Sequence, residues 1–249
     1  MADDHHIHET MPPSIYADGT YGVRHPTWHA EHAAWKAAQI ARMLARHAMA
    51  PRTICEVGCG AGDVLCELQT SHLTDAECWG FDISPQAIEI CRLKATPTRH
   101  YALGDPSAVL GRPFDLVLAL DVVEHVEDCF EFLRRIRPLG TRTLLHVPLD
   151  LSILGLVTRL PERVRASVGH LHYFTKDTCL AMVAECGFTI VDHAYTASAV
   201  EAPNSAWRTR LARTPRSLAF GLHQDGAARL LGGYSLLVLA EPGGAGRQP

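Results

Sequence analysis

Apolar positions follow two alternating rhythms from residue 53 onward. Short aliphatic runs at 53–58, 78–83, 99–104, 114–121 and 142–148, bounded by polar or turn residues, are predicted strands. Helical periodicity fills the gaps between them. From Ser84 to Ala95, Ile88, Cys91 and Ala95 share one face. After Asp121, the residues Val126, Cys129, Phe130, Leu133 and Ile136 mark a helical stripe that Pro138 and Gly140 close. Strand and helix in alternation predict a parallel sheet covered on both faces.

The flanks read differently. "TWHAEHAAWKAAQIARMLARH", from Thr27, is alanine-rich with Ile40, Met43, Leu44 and His47 at helical spacing, so a helix precedes the first strand. Residues 1–26 show no periodicity and are expected to form a flexible arm. Near the other end a helix from Thr175 to Cys186 stops at Gly187, followed by the strands "FTIVDHAYT" and "YSLLVLAEP". The stretch between those strands is too long for a bare loop, so helical cover is expected at about 200–232, with more at about 150–172. The expectation is therefore an α/β, doubly wound, mostly parallel seven-stranded sheet forming one domain over 27–241, with a helical N-terminal arm, a C-terminal helical insertion and a disordered tail at 242–249.

Charge and cysteine content remove several classes of function. A net charge of -4 without a long basic block lacks the electrostatic footprint of a nucleic-acid binder. The eight cysteines are scattered among apolar neighbours and give no zinc-ligand spacing. No apolar run reaches the roughly 18 residues of a membrane span, "LSILGLV" being far too short. A soluble cytoplasmic protein with reduced thiols is expected, with no nucleic-acid or membrane partner and the oligomeric state left open.

Candidate chemistry concentrates in "ICEVGCGAGDVLCEL", where Gly58, Gly60 and Gly62 follow a strand and open a helix. Such glycines let a ligand approach the backbone closely. A dinucleotide fingerprint requires glycine or alanine where Asp63 stands, and no Gly-Lys-Ser/Thr of a phosphate loop follows. Glu56 and Asp63 instead flank the place of a pyrophosphate. Two unit charges about 4 Å apart interact by roughly 4 kcal/mol at an effective dielectric of 20, so this loop favours a cationic ligand over a phosphate.

The segment "EVGCGAG" is the first motif, E/D-x-G-x-G-x-G, of the class I S-adenosylmethionine-dependent methyltransferases, which the chain resembles from about Ile54 to the last strand. "WGFDIS", "LGDP", "FDLVLALDVVEHVED" and "GHLHYFTKDTCLAMVAECGFTIVD" resemble later motifs of the small-molecule members, in order. The resemblance implies a Rossmann-like methyltransferase fold, S-adenosyl-L-methionine as cofactor and methyl transfer to O or N of a small-molecule substrate. It implies cofactor contacts from Glu56, Gly58, Cys59, Gly60, Gly62 and Asp121, ribose hydroxyls on Asp82, and adenine against Ile83 and Asp105. "DVVEHV" is similar to ubiquinone-pathway O-methyltransferases that use an acidic cluster in metal dependence, but Asp121 stands where a further Glu is expected. No metal is expected here.

Methyl transfer from a sulfonium is an in-line displacement in which the protein chiefly positions the nucleophile. Residues facing that reaction must come from the carboxyl ends of the fourth and fifth predicted strands: Asp121, Glu124, His125, His146, Asp150, His170, His172 and Tyr173. Histidine suits a hydroxyl or amine acceptor near neutral pH. His172, held by the helix that follows it, is the first choice of base, ahead of His125 and His170. Tyr16, Tyr21, Trp28 and His29 can supply an aromatic wall, joined by His146 and Tyr173 as substrate contacts. Calorimetry is expected to show micromolar binding of S-adenosylmethionine and of its demethylated product, and no binding of NAD; heat from NAD with none from S-adenosylmethionine reverses this reading.

Overall fold

The computed structural model describes residues 27–28, 30–106, 113–197 and 219–244. Its centre is a seven-stranded sheet built from β1 (Thr53–Val57), β2 (Glu77–Asp82), β3 (Arg99–Leu103), β4 (Leu116–Leu120), β5 (Thr143–Pro148), β6 (Phe188–Thr196) and β7 (Ser235–Pro242). The spatial order is β3-β2-β1-β4-β5-β7-β6. β1 pairs in parallel with β2 and β4, β2 with β3, and β4 with β5, whereas β7 runs antiparallel to both β5 and β6. The order reverses beside β1, so β1 and β4 diverge at a switch point whose crevice opens at their carboxyl ends.

Alternation along β4 divides the core in two. Leu116, Leu118 and Leu120 pack with Ile54, Leu144, Leu237 and Leu239 beneath α1 (Ala33–Arg46) and α2 (Asp63–Ser71). Val117 and Ala119 point the other way, toward Leu145, Val147 and Val238, and meet α4 (Cys129–Ile136) and α7 (Lys176–Glu185). All five β4 residues are buried, which is why this strand reads as a continuous apolar run. β6 lies at the sheet edge and alternates between covered and exposed positions.

The described residues also form α3 (Pro85–Arg92), α5 (Ile153–Val157), α6 (Leu160–Val168) and α8 (Gln224–Leu231). Strand boundaries match the sequence pattern to within about a residue or two, and the expected covers contain α5, α6 and α8. The helix after Asp121 differs: residues Val123–His125 form a 3-10 turn, Val126 is extended, and the α-helix starts only at Cys129. Asp128 causes the delay, because its side chain accepts the Glu131 N–H at 2.8 Å and caps the helix there. The expected arm at 1–26 lies outside the described residues, as do 198–218 of the second cover and 245–249 of the tail. No described helix is long and apolar enough to cross a membrane.

Leu118 is fully buried at the centre of β4. Leu118→Ala is expected to cost about 2–5 kcal/mol, and Leu93→Ala, at an 89% exposed position, less than about 0.5 kcal/mol. Urea unfolding of both variants checks the difference.

Candidate functional site

β1 ends at Val57 and the chain turns through Gly58–Gly62 into α2. The Gly58 and Cys59 N–H groups donate to the Phe81 carbonyl at 2.8 and 3.0 Å, anchoring the loop to β2. Gly58 has φ +76°, and a Cβ there would lie 2.5 Å from Val122 Cγ2, so the loop packs directly against the residue that follows Asp121. At Gly62, φ is +78° and the Tyr101 ring would stand 2.6 Å from a Cβ. Both positions require glycine for conformation and for space. Asp82, buried at the end of β2, accepts the Gly60 N–H on Oδ2 and the Ser84 N–H on Oδ1, each at 2.8 Å. Burial raises its pKa even against those hydrogen bonds. Ile83 beside it is 58% exposed, and the Trp28 ring lies 3.7 Å from the Cβ position of Gly60.

The opposite wall begins at Asp121, the residue after β4, which adopts φ +54° although it is not glycine. Its Oδ2 pairs with Lys36 Nζ of α1 at 2.6 Å, and its Oδ1 lies 2.6 Å from His146 Nδ1. His146 Nε2 is in turn 2.8 Å from Thr196 Oγ1. Burial alone would raise the Asp121 pKa, but His146 and Lys36 hold it well below the usual carboxylate range. Lys36 is held charged against burial by Asp121, with Glu56 and Glu124 adding to the effect. Glu56 is buried and its Oε2 has no hydrogen-bond partner. Burial pushes its pKa up to about 8, with Asp82 and Asp63 adding and Lys36 opposing.

A third group lies where the chain re-enters after α6. His170 Nδ1 is 2.6 Å from Asp150 Oδ2, and its ring stacks edge-on to His125 at a centroid distance of 4.7 Å. His125 Nδ1 is 3.3 Å from the Gly169 carbonyl, and burial together with the neighbouring His170 lowers its pKa to about 4. Glu124 is fully buried, both its carboxyl oxygens lack a hydrogen-bond partner, and burial together with Asp121 pushes its pKa well up. One ligand-capable atom from each of Glu124, His125 and His170 lies within 4.8 Å of the others, an arrangement a divalent cation can use. Sequence spacing did not show this set, because His170 joins it only through the fold.

Other expected site residues are held by partners of their own. His172 Nε2 faces the carbonyls of Val126 and Glu127 at 2.8 and 3.1 Å, and the His172 backbone N–H donates to the Glu124 carbonyl at 3.2 Å. A ring nitrogen donating to carbonyls keeps no lone pair, so Nε2 ties His172 to the turn before α4 and Nδ1 is the nitrogen left to accept a proton. His146 has both ring nitrogens committed, Nδ1 to Asp121 and Nε2 to Thr196. The Tyr173 hydroxyl donates to the His170 carbonyl at 3.1 Å and supports that loop. Asp105 pairs with Arg135 of α4 at the surface. Cys59 packs with Ile88 and Cys91. Asp63 pairs with Lys94 at 2.6 Å, so opposition to a phosphate at the loop falls to Asp82. Tyr16, Tyr21 and His29 lie outside the described residues. Lys36 and Thr196 were missed; the available signal was a lysine set four residues before Ile40 on the apolar stripe of a helix.

Sheet order, the reversed β7 and a glycine loop bonded to the acid ending β2 define a Rossmann-like methyltransferase fold. The chain belongs to the methyltransferase-domain family, whose model matches residues 28–193. It is 32% identical over 114 residues to ajmaline N-methyltransferase of Rauvolfia serpentina, covering 41% of this chain and 38% of that protein. It is also 32% identical over 132 residues to a ubiquinone biosynthesis O-methyltransferase of Mesorhizobium japonicum, covering 47% of this chain and 52% of that one. The chain thus spans about half or less of those relatives' length. The crystal structure of magnesium protoporphyrin IX methyltransferase from Synechocystis PCC 6803 with bound SAH shares the fold at a TM-score of 0.58 and 18% identity, over 92% of this chain and 95% of that one.

Glu56 generates a pH prediction for the protein without ligand. Its folded pKa of about 8 exceeds the ordinary value of 4.5, so between these values the folded state binds the extra proton. The stability it contributes is full below the lower value and is lost as pH rises through the upper one. The slope from one group is at most about 1.4 kcal/mol per pH unit. Urea unfolding at pH 5.5 and 7.5 is expected to show wild type losing more stability than Glu56→Gln.

Proposed function

We propose that the protein is an S-adenosylmethionine-dependent methyltransferase acting on O or N of a small molecule. One observation carries the reading: a glycine loop bonded to Asp82 opens onto Glu56, whose buried carboxyl oxygen has no partner. Such a cradle fits a cationic nucleoside and disfavours a pyrophosphate. Asp82, already braced by two backbone N–H groups, keeps lone pairs for ribose hydroxyls, and the exposed Ile83 offers adenine an apolar surface. The bound donor supplies an electrophilic methyl on a sulfonium, so the protein's own work is to bind, orient and deprotonate the acceptor.

His170 takes the role of base in this reading. Asp150 on Nδ1 fixes the imidazole tautomer, leaves the other nitrogen to accept a proton, and stabilises the imidazolium that results. His125, kept neutral by its surroundings, packs against that ring and excludes water. Displacement at an activated methyl requires no Lewis acid, so the reading is metal-free.

His170→Ala is expected to lower turnover by about 10²-fold or more while cofactor affinity stays within about threefold. His172→Ala is expected instead to lower the unfolding midpoint. Equal loss of affinity and turnover in His170→Ala makes that residue part of the donor pocket. Activity is expected to persist in excess chelator; loss restored by a divalent cation makes Glu124, His125 and His170 ligands. Labelled donor incubated with a metabolite extract separates the enzyme, which labels a small molecule, from a pure binding protein, which labels none.

A further inference from the structure

The chain departs from the end of β5 at Asp150 and returns at His170, and these two side chains meet at 2.6 Å. Residues 151–169 are thus an excursion clasped at its base by that pair, and they hold α5 and α6. Ser152 caps α5 by accepting the Gly155 N–H at 3.0 Å. Gly155 is the one buried residue of α5. A Cβ there would stand 2.7 Å from Ser152 Oγ and 3.1 Å from the Asp150 carbonyl, so the helix is pressed directly onto the chain that leaves the strand.

With its glycine turned inward, α5 turns its aliphatic side chains outward. Ile153, Leu154, Leu156 and Val157 are 60, 40, 58 and 77% exposed. Scattered apolar residues on a surface need no explanation, but a contiguous cluster marks a contact site. The helix that packs against α5 supplies the charge. α6 has no fully buried residue, and Arg159, Arg163 and Arg165 are exposed along it. Glu162, the one acid of the excursion, pairs with Arg159 at 3.1 Å, which leaves the patch net positive.

Aliphatic surface beside excess arginine selects its partner by charge. A second copy of the chain, meeting this face with the same face, would bring arginines against arginines. An anionic bilayer offers an acyl boundary for the aliphatic side chains and phosphates for the guanidinium groups. The expectation of no membrane partner rests on the shortness of "LSILGLV", which excludes a span but not a helix lying in the interface.

We propose that α5 and α6 form a docking surface for an anionic lipid bilayer, with α5 entering the boundary between headgroups and acyl chains. Because the excursion closes on Asp150 and His170, docking holds that pair near the bilayer surface.

Sedimentation of the full chain with vesicles of phosphatidylcholine alone, and of phosphatidylcholine mixed with an equal part of phosphatidylglycerol, tests this. Wild type is expected to bind the mixed vesicles about tenfold or more tightly than the neutral ones, and added salt is expected to weaken that binding. The double substitution Leu156→Ser and Val157→Ser, at exposed positions that the fold does not need, is expected to lower binding about tenfold or more. Leu93→Ser, at an 89% exposed position elsewhere, is expected to leave binding unchanged. Failure of wild type to bind either vesicle overturns the proposal, and so does equal binding to both or an equal loss in Leu93→Ser. A concentration-dependent dimer in light scattering that the double substitution abolishes gives the face to a second copy and also overturns it.

Discussion

The carboxylate of Asp121 is the joint on which the site depends. It sits at the end of the most buried strand, and its two oxygens reach Lys36 of α1 and His146 of β5, the latter backed by Thr196 of β6. One charged group thus fastens the helix before the sheet to three of its strands at the carboxyl edge, where the parallel strands leave their loops. Removing either partner would leave a partly buried charge without its counter-charge, a larger penalty than a fully exposed ion pair carries.

Around this joint the acids outnumber the cations. Glu56, Asp121 and Glu124 share Lys36 as a positive neighbour, and burial keeps Glu56 and Glu124 protonated more readily than carboxyls in water. A cationic ligand favours the ionised form of these carboxyls, whereas a phosphate disfavours it further. The glycine loop therefore takes its selectivity from the charges beneath it, and its glycines supply only the close approach.

The segment after α6 shows how one short loop divides its duties. His170 turns inward to Asp150 and His125, while His172 turns back to the carbonyls before α4 and Tyr173 ties down the His170 backbone. Residues two apart in a histidine-rich stretch thus separate into one held by a carboxylate and one held by backbone carbonyls. Their order in the chain gave no hint which was which.

Local patterns carried most of the fold. The apolar periodicities of β1 to β5, the glycine spacing at 58–62 and the isolated acid at Asp82 are properties of contiguous residues, because strand alternation and left-handed loop geometry are decided within a few positions. The late start of α4 escaped because the Asp128 side chain overrode an apolar stripe that extended further back. The pairings in the site were not legible. Lys36 with Asp121, His146 with Thr196 and Asp150 with His170 join residues far apart in the chain, and their meeting follows from strand order and from the return path of α5 and α6. Hydrophobic pattern and loop chemistry determined which ligand class the edge of this sheet can accept; only the packed tertiary structure decided which charged side chains stand there with a proton, a partner or an unfilled oxygen, since burial and distance set those states.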